Sequence, residues 1–78
     1  MNTVVVYSMD DCVECTFVKK MLTEEGIPFE VRDIKKNEAY KSEVEKYGFL
    51  GVPVTVCGGR AVKGFTPELM EIVELSKS

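Results

Sequence analysis

Thr3-Val4-Val5-Val6-Tyr7-Ser8-Met9-Asp10-Asp11-Cys12-Val13-Glu14-Cys15 joins an apolar, β-branched run to two cysteines three positions apart. The run, Thr3 to Ser8, has the near-continuous apolar character of a central strand covered on both faces. Met9-Asp10-Asp11 is a short turn, and Asp10 or Asp11 can cap the helix that follows. Cys12 and Cys15 then share one face of that helix's first turn. There the two sulfurs can close as a disulfide or stand open as a dithiol. The remainder of the chain is the scaffold for this pair.

The helix runs from Cys12 or Val13 to Glu25. Its inward stripe is Val13, Phe17, Val18, Met21 and Leu22, with Lys19, Lys20, Glu24 and Glu25 outside. Gly26 supplies a left-handed stop. Pro28 to Asp33 is a second strand, with Phe29, Val31 and Ile34 alternating against Glu30, Arg32 and Asp33. The helix between the two strands implies a right-handed crossover, so they run parallel. Asn37 can cap a second helix, Glu38 to Tyr47, ended by Gly48. Its inward residues are Ala39 or Tyr40, Val44 and Tyr47; Lys41, Glu43, Glu45 and Lys46 form a solvated face with no evident role.

Pro53 to Cys57 and Arg60 to Lys63 are a third and a fourth strand, joined as a hairpin through Gly58-Gly59. Thr66 caps a last helix, with Pro67 at its first position and Glu68 in its first turn. Leu69, Met70, Ile72, Val73 and Leu75 supply the apolar side of that helix. The order is β-α-β-α-β-β-α, an α/β fold in one domain spanning 1–78, without repeats, linkers or low-complexity segments.

A chain of 78 residues buries only about 60% of its unfolded surface, so one small core of modest stability is expected. Ten basic and thirteen acidic residues give a net charge of −3. No basic stripe is present for a phosphate backbone, which argues against nucleic acid as a partner. No apolar run approaches the roughly 18 residues of a membrane helix. The first residues lack the basic and apolar regions of a secretory signal and read as a strand of the mature fold. Three cysteines, two of them in one tight motif, suit a reducing compartment, hence the cytoplasm, better than a secreted disulfide scaffold.

A dithiol works through its thiolate. Cys12 lies where the unpaired amides and dipole of the helix favour negative charge, and Cys15, about a turn deeper, is less exposed. Cys12 is thus the expected nucleophile and Cys15 the resolving thiol. Helix-end stabilisation is worth roughly 0.3–1 kcal/mol, and Asp10, Asp11 and Glu14 oppose it. A moderately favoured thiolate follows, which suits a reductant more than an oxidant. With no histidine and only Cys57 besides, the chain lacks four ligands for a zinc site of its own. A metal or iron–sulfur centre shared between two chains, and a structural disulfide, are the other readings of the pair. Cys57, at the end of an apolar strand, reads as a small core hydrophobe. Pro53 opens its strand after Gly51-Val52, and on bare sequence the Val52-Pro53 bond is trans by default.

Cys12-Val13-Glu14-Cys15 after a strand, the Val52-Pro53 step about 40 residues on, and Gly64-Phe65-Thr66-Pro67-Glu68 entering the last helix together resemble one family. It is the glutaredoxin-like branch of the thioredoxin superfamily, and within it the NrdH-type redoxins. The likeness covers nearly the whole chain. It implies a thioredoxin fold: a four-stranded mixed sheet in the order 2-1-3-4, flanked by three helices. It implies a cis Val52-Pro53 bond packed against the cysteines, and a Val52 backbone that pairs with an extended substrate segment. Val13, Glu14, Val52, Pro53, Gly64, Phe65 and Thr66 would then line the substrate groove around Cys12 and Cys15. No cofactor is implied beyond the cysteine pair. The implied partners are thioredoxin reductase as electron source and ribonucleotide reductase, or other disulfide proteins, as acceptor, with the chain a monomer. Glutathione-using relatives usually carry Cys-Pro-Tyr-Cys, Thr-Val-Pro and Gly-Gly-x-Asp-Asp. Here Val13 and Glu14, Gly51, and Thr66-Pro67-Glu68 stand at those places, and Glu14 would repel an anionic tripeptide. The redoxins often carry Trp-Ser before the Gly-Phe turn, where this chain has Val62-Lys63, and Asp10-Asp11 is also atypical.

Overall fold

Alternation along the first strand sends successive side chains to opposite faces, and both faces are covered. In the computed structural model, which describes residues 3–77, this strand is β1, Val4–Ser8. Residues 1, 2 and 78 of the expected 1–78 domain lie outside the described residues. Val4 and Val6 enter one core, and Val5 and Tyr7 the other. The remaining elements are α1 (Val13–Glu24), β2 (Phe29–Asp33), α2 (Glu38–Lys46), β3 (Val54–Cys57), β4 (Arg60–Lys63) and α3 (Leu69–Lys77).

The sheet order is β2-β1-β3-β4. β1 and β2 are parallel, pairing Val6 with Val31, while β1–β3 and β3–β4 are antiparallel. One face carries α1 and α3. Val18 and Leu22 meet Val4, Val6, Cys57, Val62, Leu69, Ile72 and Val73 there. The other face carries α2, with Val44 packed among Tyr7, Val54, Ile34, Tyr40 and Val52. Asn37 caps α2 as expected, its side chain accepting from the Ala39 N–H at 2.9 Å.

Several expected faces differ. The inward row of α1 is Cys15, Val18 and Leu22, whereas Val13 is 68% and Phe17 50% exposed. Residues 15, 18 and 22 follow the i, i+3, i+7 spacing of one face, and Val13 and Phe17 lie beside it. Val31 and Tyr47 are also exposed; of Ala39 and Tyr40, Tyr40 is the one that packs inward. β2 is an edge strand at the margin of the helix layer, where only Phe29 reaches the core beneath α1. α3 begins at Leu69, two residues later than the expected first position, Pro67. The N–H groups of Leu69, Met70 and Glu71 donate to the carbonyls of Thr66, Pro67 and Glu68 at 3.0, 3.1 and 3.0 Å. These are i→i−3 bonds, so residues 66–68 form tight turns rather than helix. Leu69, Ile72 and Val73 face inward and Met70 faces out.

Glu43 is not part of an idle solvated face. Its Oε1 accepts from the Tyr7 hydroxyl at 2.6 Å and from Arg32 at 2.8 Å. Arg32 also pairs with Glu30 and lies over the Tyr40 ring, 5.4 Å from its centroid. The network ties β1, β2 and α2 together. Among the described residues no helix is long and apolar enough to cross a membrane.

Candidate active site

Asp11 takes a φ of 62°, a left-handed conformation that aspartate tolerates. The chain then enters α1 through Cys12, which is extended at φ −109° and ψ 104°. Cys12 itself is the N-cap. Its Sγ accepts from the Cys15 N–H at 3.1 Å, and its carbonyl accepts from the Thr16 N–H at 3.2 Å. The expected cap, Asp10 or Asp11, falls too early, because the helix starts at Val13 and the sulfur takes the first-turn donor. A helix cap is normally an oxygen acceptor; here the group serving the Cys15 amide is the sulfur whose charge matters for the chemistry.

Cys12 and Cys15 are joined by a disulfide, with their Cα atoms 5.2 Å apart. Cys12 is half-buried, and Cys15 is sealed at 1% exposure by the inward face of α1. The two sulfurs of one bond therefore differ in access.

Two loops are tied to the cysteine motif through Glu14. The Val52-Pro53 bond is cis. Pro53 is buried, while Val52 is half-buried against the α2-side core and precedes the ladder that begins at Val54. The second loop follows β4. Gly64, at φ 85°, donates its N–H to the Pro53 carbonyl at 2.8 Å. The next amide, Phe65 N–H, donates to the Glu14 carboxylate at 3.1 Å. Two consecutive amides thus fasten Gly64-Phe65 to the proline loop on one side and to the cysteine motif on the other. A side chain at 64 would be strained by its φ and would set a Cβ 3.2 Å from the Glu14 Oε2.

Hydrogen bonds link the cysteine motif, through Glu14, to Phe65, and link the neighbouring Gly64 to Pro53. Thr66 is exposed and serves the turn into α3 through its carbonyl. Phe17, which the sequence pattern assigns to the core, belongs instead to the surface. Its ring lies 5.9 Å from that of Phe65 at a tilt of 49°. Val13 and Phe17 are one turn apart on that exposed face. An apolar pair flanking a reactive motif is the signal that the core reading absorbs.

Cys57 lies at the far end of β3 from Pro53 and is 1% exposed; burial pushes its thiol up. Among the described residues no group of three or more His, Cys, Asp or Glu is placed to hold a metal ion.

Known proteins resemble the chain in sequence and in fold. The model of the glutaredoxin family matches residues 4–62. The glutaredoxin-like protein NrdH of Lactococcus lactis is 36% identical over 64 residues, 82% of this chain and 89% of the relative. A thioredoxin-like protein, solved as a mutant, superposes with a TM-score of 0.83 at 30% identity, covering 91% of this chain and 99% of the other. The glutaredoxin-like NrdH-redoxin of Escherichia coli, described as having a thioredoxin-like activity profile, superposes at 0.81 and 25% identity, over 88% and 91% of the two chains.

Proposed function

The chain belongs to the glutaredoxin family, and from that membership we propose that it is a dithiol–disulfide oxidoreductase of the NrdH type, a protein electron donor working through Cys12 and Cys15. The supporting observation is the unequal access of the two sulfurs: Cys12 half-buried at the helix start with an amide directed at it, Cys15 sealed beneath. In the reduced protein that amide and the helix dipole favour a Cys12 thiolate. The thiolate attacks one sulfur of a partner disulfide; the partner's S–S bond breaks and the released thiolate takes a proton. Cys15, once deprotonated, attacks Cys12 Sγ, closes the Cys12–Cys15 bond and expels the second partner thiol. Two electrons pass to the partner, and the redox group is the pair itself. Val52, outside the ladder, would offer its backbone to an extended partner segment.

Thioredoxin reductase is the proposed electron source and ribonucleotide reductase the proposed acceptor, with a monomer acting in the cytoplasm. Two arms of a coupled NADPH assay with a small disulfide test the source. Turnover with thioredoxin reductase and none with glutathione plus glutathione reductase is expected; the reverse would replace this reading with a glutathione-dependent one. The roles of the cysteines are tested by trapping. Cys15→Ser should accumulate a mixed disulfide with a partner through Cys12, and Cys12→Ser should accumulate none. Trapping by Cys12→Ser alone would exchange the two roles.

A further inference from the structure

The wall beside the cysteine pair already holds an anion. Of the two consecutive amides at the β4–α3 turn, Gly64 is spent on Pro53, and Phe65 is spent on the carboxylate of Glu14, 51 residues away in sequence. The next amide but one is missing, because Pro67 has no N–H. Gly64 has no side chain to hold the carboxylate off, since a Cβ there would lie 3.2 Å from Oε2. The bond pairs a full negative charge with a backbone donor, the stronger kind of hydrogen bond. Glu14 sits two residues after Cys12, so a disulfide peptide bound there brings its flanking groups to this wall.

We propose that Glu14 is a specificity-determining residue that acts as an internal ligand. It fills the Phe65 N–H and so excludes disulfides that present a carboxylate of their own at the Gly64-Phe65 wall. The inference rests on the dithiol reading above and narrows its substrate class to disulfides on uncharged or main-chain-bound segments. Charge repulsion alone would be a different mechanism, and two substitutions separate them. Glu14→Gln removes the charge and keeps an oxygen acceptor for Phe65. Glu14→Ala removes the charge and vacates the donor.

The test compares two cystine peptides that end one residue after the half-cystine, one with a free C-terminal carboxylate and one amidated. Rates are normalised to a neutral disulfide, hydroxyethyl disulfide. The wild type should reduce the amidated peptide at least tenfold faster. Glu14→Ala should raise the carboxylate-to-amide ratio tenfold or more, and Glu14→Gln only about threefold. Phe65 amide exchange, followed by NMR, should be protected in the wild type and in Glu14→Gln and unprotected in Glu14→Ala. Equal rises in the two variants would overturn the internal-ligand role in favour of charge alone. An unchanged ratio in both would overturn any role for Glu14. Failure of the wild type to reduce even the neutral disulfide would overturn the dithiol reading, and this inference with it.

Discussion

Tyr7 is a buried phenol whose hydroxyl has two jobs. It donates to Glu43 at 2.6 Å and accepts from Arg32 at 3.2 Å. Burial, and then the bond to Glu43, push its pKa up to about 12. The same bond is the main reason that the Glu43 carboxyl is held below the usual carboxylate range. The two shifts act at opposite ends of the pH scale. Glu43 is depressed in the folded state, so its contribution is present above the ordinary carboxylate value and lost as acid protonates it. Tyr7 is raised, so its contribution is full below about 10, the ordinary tyrosine value, and is lost as pH climbs toward about 12. A shift of this size corresponds to roughly 2–3 kcal/mol across that alkaline window. Tyr7→Phe should cost about 1.5–3 kcal/mol near neutral pH, the range for one hydrogen bond to a charged group. Urea melts across the pH range check it: the gap between wild type and variant should shrink from pH 10 upward. A gap that stays constant would mean that the phenol ionises alike in the folded and unfolded chains.

Helix α1 shows what a sequence pattern can and cannot assign. The stripe from Val13 to Leu22 collects every apolar residue of one broad side, and the structure divides it. Leu22 is fully buried and Val13 is 68% exposed. Leu22→Ala should cost about 2–5 kcal/mol, a large part of what a domain this small holds in total. Val13→Ala should stay within about 0.5 kcal/mol. Denaturation of the two variants checks the division, and similar costs would restore the sequence stripe. The β1–α1–β2 crossover, the hairpin, the Asn37 cap and the cysteine helix are legible because each rests on local signals: β-branched runs, Gly-Gly, a capping amide and the Cys-x-x-Cys spacing. The full strand order and the cis proline come only with the family likeness. The facing of α1 is legible in part. Val18, Met21 and Leu22 pack inward as the stripe expects, whereas Val13 does not, and Cys15, conspicuous for its chemistry, also fills the inward row. Phe17 misleads for the complementary reason, being a large apolar residue kept at the surface beside Phe65. Glu43 looks like a plain surface charge, and Glu14 shows its charge but not its hydrogen bond. Their partners lie 36 and 51 residues away, and no local pattern reports such a bond.

The molecule as a whole carries a built-in reporter of its cooperativity. Cys57 is 1% exposed and packs in the core that β1, β4, α1 and α3 share. Burial raises its thiol, which further suppresses the reactive thiolate. In the reduced protein an alkylating reagent can reach Cys12 from the surface, but it reaches Cys57 only when that core opens. The Cys57 rate is then the rate for an exposed thiol multiplied by the opening equilibrium. With about 5 kcal/mol of total stability, the protection is on the order of 10³–10⁴-fold. Cys57 draws its cover from elements early and late in the chain, so the opening that exposes it should be global. Labelling measured at increasing urea should therefore steepen with the slope of the equilibrium melt, because that slope follows the surface exposed. A clearly shallower slope would identify a partial opening, with β4 and α3 leaving the sheet while β1 and α1 hold. The outcome bears on the proposed chemistry, because a thiol released by partial opening could compete with Cys15 for the mixed disulfide on Cys12. Global protection would keep the exchange between Cys12 and Cys15 alone.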